Sequence, residues 1–207
     1  MKKLMILAGA LCMAWPAIAG GVWGEIDAGP LPPGEMTMGE GNLGVIRGSL
    51  SSEDLEDMYC ITITDVAGFS ATTVGGADWD TQLFLFDVGG MGVTFDDDDP
   101  GGGGLQSTIT GTFVPGTGTY YLAISSYDND ALSAGGEIWL DGPFTEERAP
   151  DGPGAGSPIT GWDSGGTSGA GYSIALTGAG FCMVPEPGTF VALGVGLAAL
   201  VASRRRR

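Results

Sequence analysis

The apolar residues of this chain come in short runs of period two, each ended by glycine, aspartate or proline. Met58–Thr64 sets Tyr59, Ile61 and Ile63 against Cys60, Thr62 and Thr64. Successive side chains of a strand point to opposite faces, so this alternation marks a strand; an amphipathic helix needs a period near 3.6. Similar runs occupy Val45–Leu50, Phe69–Val74, Gln82–Val88, Ser107–Phe113, Thr119–Ser125, Glu137–Leu140 and Tyr172–Leu176. Of these Gln82–Val88, QLFLFDV, is the most apolar. The 39 glycines and 12 prolines supply the turns between them. No stretch between the two ends carries a capped helical pattern. The expectation is therefore all-β, with about eight short strands in a sandwich or jelly roll over residues 44–183. Residues 20–43 read as an extended lead-in that packs through Trp23. Residues 143–171 read as a long Gly/Pro-rich loop, partly ordered because it contains Trp162.

The two ends follow a different logic. Met1-Lys2-Lys3 is a short basic region, Leu4–Ala14 is apolar, and Ala17-Ile18-Ala19 is a small-residue cleavage site. Residues 1–19 thus read as a signal peptide cut by signal peptidase after Ala19. At the other end Phe190–Ala202 is apolar and uncharged, and Arg204, Arg205, Arg206 and Arg207 close the chain. As a helix this run covers roughly 20 Å, short of a bilayer core of about 30 Å. Thr189, Ser203 and snorkelling arginines stretch it over residues 189–203, with the arginines cytoplasmic. The alternative is a buried C-terminal helix, for which four terminal arginines have no use.

The segment Val184-Pro185-Glu186-Pro187-Gly188-Thr189, then a short apolar helix, then an arginine cluster resembles the PEP-CTERM sorting signal. The resemblance covers residues 184–207. It implies an exosortase that removes the tail and passes the protein toward the cell surface or extracellular matrix. It also implies an envelope rich in exopolysaccharide. A marginal helix is adequate for such a transient anchor, much as a GPI signal has a hydrophobic tail that is discarded.

Between the two signals only Arg47 and Arg148 are basic, against 24 acidic residues, an excess of 22 negative charges. That charge repels nucleic acid and anionic lipid and attracts divalent cations. Cys60 and Cys182 are the cysteines left after signal-peptide removal. Exported chains meet oxidising conditions, so a disulfide is the reading, with two separate buried thiols as the alternative.

The stretches GSLSSEDLEDMYCITI, DTQLFLFDVGGMGVTFDDDD and GTGTYYLAIS resemble the bacterial pre-peptidase C-terminal domain, over roughly residues 44–140. The resemblance rests on Asp57-Met58-Tyr59 and Gly118-Thr119-Tyr120-Tyr121. It implies a jelly-roll module with an accessory or structural role, some members binding calcium or assisting attachment to polymers.

The chain has no histidine, and its lysines are Lys2 and Lys3. His-activated nucleophiles and lysine chemistry are thereby excluded from residues 20–183. The glycines at 101–104 follow acids and precede a strand, so they form a turn rather than a phosphate loop. Carboxylate chemistry survives, but no pair stands out for glycoside hydrolysis. The acids themselves are the candidate site. Asp78, Asp80, Asp87 and the run Asp96, Asp97, Asp98, Asp99 would bind calcium if they converge at one end of a sandwich. The alternative is a set of solvated turn acids. Trp79, Trp139, Trp162, Tyr120, Tyr121 and Tyr127 offer faces for sugars, or belong to the core. The functional expectation is an exported, non-catalytic surface or matrix protein. Its rivals are a carbohydrate-binding module on exopolysaccharide and, behind it, a carboxylate-dependent hydrolase.

Overall fold

The computed structural model describes residues 20–102, 104–166 and 169–182. The expected signal peptide and the expected C-terminal membrane helix lie outside the described residues. Fourteen strands follow one another: β1 (Gly21–Gly24), β2 (Glu35–Met36), β3 (Leu43–Ser49), β4 (Glu56–Ile63), β5 (Ser70–Thr72), β6 (Thr81–Phe86), β7 (Gly92–Asp96), β8 (Thr108–Thr110), β9 (Gly118–Ser126), β10 (Ala131–Ser133), β11 (Gly136–Glu137), β12 (Ile159–Trp162), β13 (Gly171–Thr177) and β14 (Ala179–Phe181). Among the described residues the only helix is a 3-10 turn at Gly111–Phe113. The described residues are all-β.

Two large sheets carry most of these strands. One has the order β1-β3-β13-β5-β8; the other has the order β14-β4-β9-β6-β7, with β2 also on β4. The pairing is nested and antiparallel: β3 with β13, β4 with β9, β5 with β8, and β6 with β7. Gly178, at a positive φ of 62°, turns β13 into β14. A Cβ there would come within 2.5 Å of the Asp65 carbonyl oxygen, so the turn needs glycine.

The period-two pattern decides which side chains meet. Tyr59, Ile61 and Ile63 of β4, Leu83 and Leu85 of β6 and Leu122 and Ile124 of β9 join Ile46, Ala71, Ile109, Ile174 and Leu176 from the five-stranded sheet in one core. This two-sheet arrangement is consistent with a β-sandwich. The opposite face of the second sheet is also covered. Met58, Phe84, Phe86, Phe95 and Ala123 pack with Ala131, Ile138, Trp139 and Ile159 in a second core. The third sheet, β11-β10-β12, supplies part of that cover. A strand buried on both faces reads as a continuous apolar run, which is why LFLF in β6 interrupts the alternation seen elsewhere.

Several segments depart from the sequence reading. The lead-in contributes strands: β1 runs parallel to β3 and β2 runs parallel to β4. Glu35 fixes it, accepting Trp23 Nε1–H at 2.8 Å and the amides of Ile26 and Asp27. The loop 143–171 contains β12, and Trp162 Nε1–H donates to the Pro30 carbonyl at 2.7 Å. Of the run expected at 137–140 only Glu137 is strand, at the end of β11; Ile138 and Trp139 are buried in the second core. Cys60 and Cys182 form a disulfide with Cα atoms 5.4 Å apart. Thr37 Oγ1 bridges its ends, donating to the Cys60 carbonyl and accepting the Cys182 amide.

Candidate functional site

Sheet order brings acids from distant segments together. In the antiparallel series β9-β6-β7, Thr81 faces Ser126 and Leu83 faces Asp96. The start of β6 and the ends of β7 and β9 therefore share one end of the sheet. Asp80 precedes β6 and holds the Tyr127 amide through its carbonyl at 3.1 Å. Asp97 and Asp98 follow β7, and the Asp98 amide donates to the Phe144 carbonyl at 2.9 Å. Asp80, Asp97 and Asp98 each present a carboxylate oxygen, all within 4.8 Å of one another. Asp97 is 2% exposed. Oδ1 of Asp97 and Oδ1 of Asp80 are buried without a hydrogen-bond partner. A cavity of about 60 Å³ adjoins Asp97, lined also by Gln82, Tyr127, Asp128, Asp130, Asp141 and Phe144.

The electrostatics follow from burial and like charge. Burial, then Asp80, Asp98, Asp130 and Asp96, pushes the Asp97 carboxyl up to about 8. Burial, then Asp98, takes Asp80 up to about 6, and burial raises Asp98. Asp130 reaches about 6 through burial and Asp163, opposed by the Gln82 amide that donates to it.

The remaining sequence candidates do other work. Asp87 follows β6, so it sits at the opposite end of that strand from Asp80. Its Oδ1 accepts the amides of Gly89 and Met91 and closes its own turn. Asp96 is fully buried, and its Oδ2 accepts the Thr108 amide at 2.7 Å, tying β7 to β8 of the other sheet. Burial raises it to about 7, against that hydrogen bond. Asp99 shapes the next turn through its backbone, donating to the Gln106 carbonyl and accepting the Gly102 amide. Asp78 is not among the acids that converge. The expected seven-acid cluster is thus a group of three.

A second acid group had no counterpart in the sequence reading. Glu25, Asp54 and Asp57 bring carboxylate oxygens within 4.8 Å of one another. Asp57 is fully buried; its Oδ2 accepts Tyr172 O–H at 2.5 Å, and Tyr59 O–H then donates to the Tyr172 oxygen. Burial pushes Asp57 up to about 8 against that hydrogen bond, and Glu25, Asp54 and Glu35 add to the rise. Burial raises both tyrosines as well. The spacing Asp54-x-x-Asp57 was visible, but Glu25 joins it only through the parallel pairing of β1 with β3.

Most candidate sugar-stacking aromatics are structural. Trp139 and Tyr120 are buried, and Trp79 packs edge-on against Tyr172 at 6.4 Å. Tyr127 and Phe144 remain exposed, with ring centroids 6.4 Å apart, at the acid-lined cavity.

Residues 184–207 match the PEP-CTERM protein-sorting motif. The motif implies export, a C-terminal membrane-associated sorting tail and processing by exosortase. No curated protein and no solved structure matches the chain. Among the described residues no helix is long and apolar enough to cross a membrane; the tail lies beyond them.

Proposed function

We propose that this is a non-catalytic protein of the cell surface or extracellular matrix, exported with loss of residues 1–19 and released from its membrane tail by exosortase. The sorting motif at residues 184–207 carries this reading. We read the displayed part as a jelly roll, because nested antiparallel pairing of β3 with β13, β4 with β9, β5 with β8 and β6 with β7 is what rolling one long hairpin produces. The absence of histidine from the sequence and the confinement of lysine to residues 2 and 3 support a non-catalytic role.

Mass spectrometry of surface-extracted protein tests this reading. Peptides should begin at Gly20, and none should contain Arg204. Replacing Pro185, Glu186 and Pro187 by alanine should leave the precursor in the inner-membrane fraction. Recovery of an intact tail on surface-extracted protein overturns the proposal.

A second reading, direct contact with exopolysaccharide, is favoured by the exposed Tyr127–Phe144 pair beside carboxylates that can accept sugar hydroxyls. Saturable binding to one glycan on an array, abolished in Tyr127→Ala, would support it. Uniformly negligible binding removes it.

A further inference from the structure

We propose that Asp80, Asp97 and Asp98 hold a calcium ion at the end of the six-stranded sheet. Three carboxylates within 4.8 Å of one another are costly when ionised and uncompensated. Acid clusters alone are common, and the decisive observation here is Asp97. The residue is 2% exposed, yet its Oδ1 has no hydrogen-bond donor, and the buried Oδ1 of Asp80 also lacks one. Buried carboxylate oxygens are ordinarily paired or bound to metal. No cation of the chain serves them among the described residues. Arg148 is committed to Asp151 and to the carbonyls of Leu140 and Gly142, and Arg47 lies on β3 in the other sheet.

The donor set selects the ion. It consists of oxygens, from a chain without histidine whose Cys60 and Cys182 are in a disulfide, so a hard cation fits better than zinc or copper. The ligands come from two segments with no octahedral template, which suits calcium, whereas magnesium demands strict octahedral geometry and retains its waters. The cavity beside Asp97 has room for water next to that carboxylate. Asp98 is partly exposed. An ion here ties the entry to β6 to the exit from β7 and stabilises the folded chain by mass action. The expected dissociation constant is about 10⁻⁴–10⁻³ M, as for extracellular calcium modules.

The test uses the full-length chain in mild detergent, stripped with chelator and titrated with calcium chloride at pH 7.5. Melting temperature should rise with calcium, rise less with magnesium, and respond little to sodium chloride at matched ionic strength. Asp98→Asn, a partly exposed change, should weaken calcium affinity at least tenfold. Asp54→Asn, in the other acid group, should leave this response in place. If Asp98→Asn does not fold, terbium replaces calcium as the probe on the Asp54→Asn chain. Tyrosine-sensitised emission displaced by calcium then supports the site, and no such emission overturns it. Equal effects of calcium and the sodium control, or equal calcium affinity in Asp98→Asn and the parent, also overturn it, leaving a proton-holding acid cluster.

Discussion

Replacing both Cys60 and Cys182 by alanine measures what the disulfide contributes. The two residues are 122 apart in sequence. Crosslinking a loop of that length removes chain entropy from the unfolded state worth about 5 kcal/mol at 25 °C. Each kcal/mol moves the melting temperature of a domain this size by about 2–4 °C, so the variant should melt about 10–20 °C lower. The folded state should change little. β14 keeps its pairing with β4, and Thr37 still bonds the Cys60 carbonyl and the Cys182 amide. Urea unfolding of the full-length chain in mild detergent gives both the free energy and its urea dependence. That dependence should steepen, because an uncrosslinked unfolded chain exposes more surface. A loss below about 1.5 kcal/mol with unchanged urea dependence would refute the chain-entropy account. Rapid amide exchange confined to β14 would assign the effect to a native-state tether instead.

Further outcomes follow from the second core and from the buried acids. Phe84→Ala removes a ring that packs on Phe95 at 4.8 Å, Trp162 at 5.1 Å and Trp139 at 5.7 Å. It should cost about 3–5 kcal/mol in the same urea assay. Asp57 titrates at about 8 when folded, against an ordinary value of 3.8. The folded chain therefore keeps a proton that the unfolded chain releases, and stability from this group is full below about pH 4 and lost as pH rises through about 8. In calcium-free buffer the melting temperature should fall between pH 5 and pH 8, and Asp57→Asn should flatten part of that slope; an unchanged slope contradicts the shift.

The sequence displayed the first core clearly and the second poorly. Tyr59, Ile61 and Ile63 announce their common face through period two, and these residues do share a core. In LFLF the same rule gives two faces, but the run alone does not say what covers the second. Its cover comes from Ala131 and Ile159, in segments too short or glycine-rich to read as strands, and from Ile138 and Trp139, in a run that reads as a strand but lies beyond the end of β11. The acid site was legible in part. Asp80 and the acids after β7 flank a hairpin, so their convergence follows from register. Asp87 could have been excluded beforehand, because six strand residues span about 20 Å and separate it from Asp80. The Glu25 group depended on a parallel pairing across more than twenty residues, which no local pattern encodes.

The disulfide also decides how the domain bears load. Cys182 stands two residues before the sorting motif that begins at residue 184. A pull exerted through that tail meets the covalent link to Cys60 before it meets the three residue pairs that hold β14 to β4. Tension is delivered directly into β4, which is registered with β9 along its whole length from Glu56 to Ile63. Hydrogen bonds along such a strand resist together in shear, whereas an edge strand peels from one end. A load applied at the C-terminal side is thus carried by an interior strand of the sheet rather than by its edge.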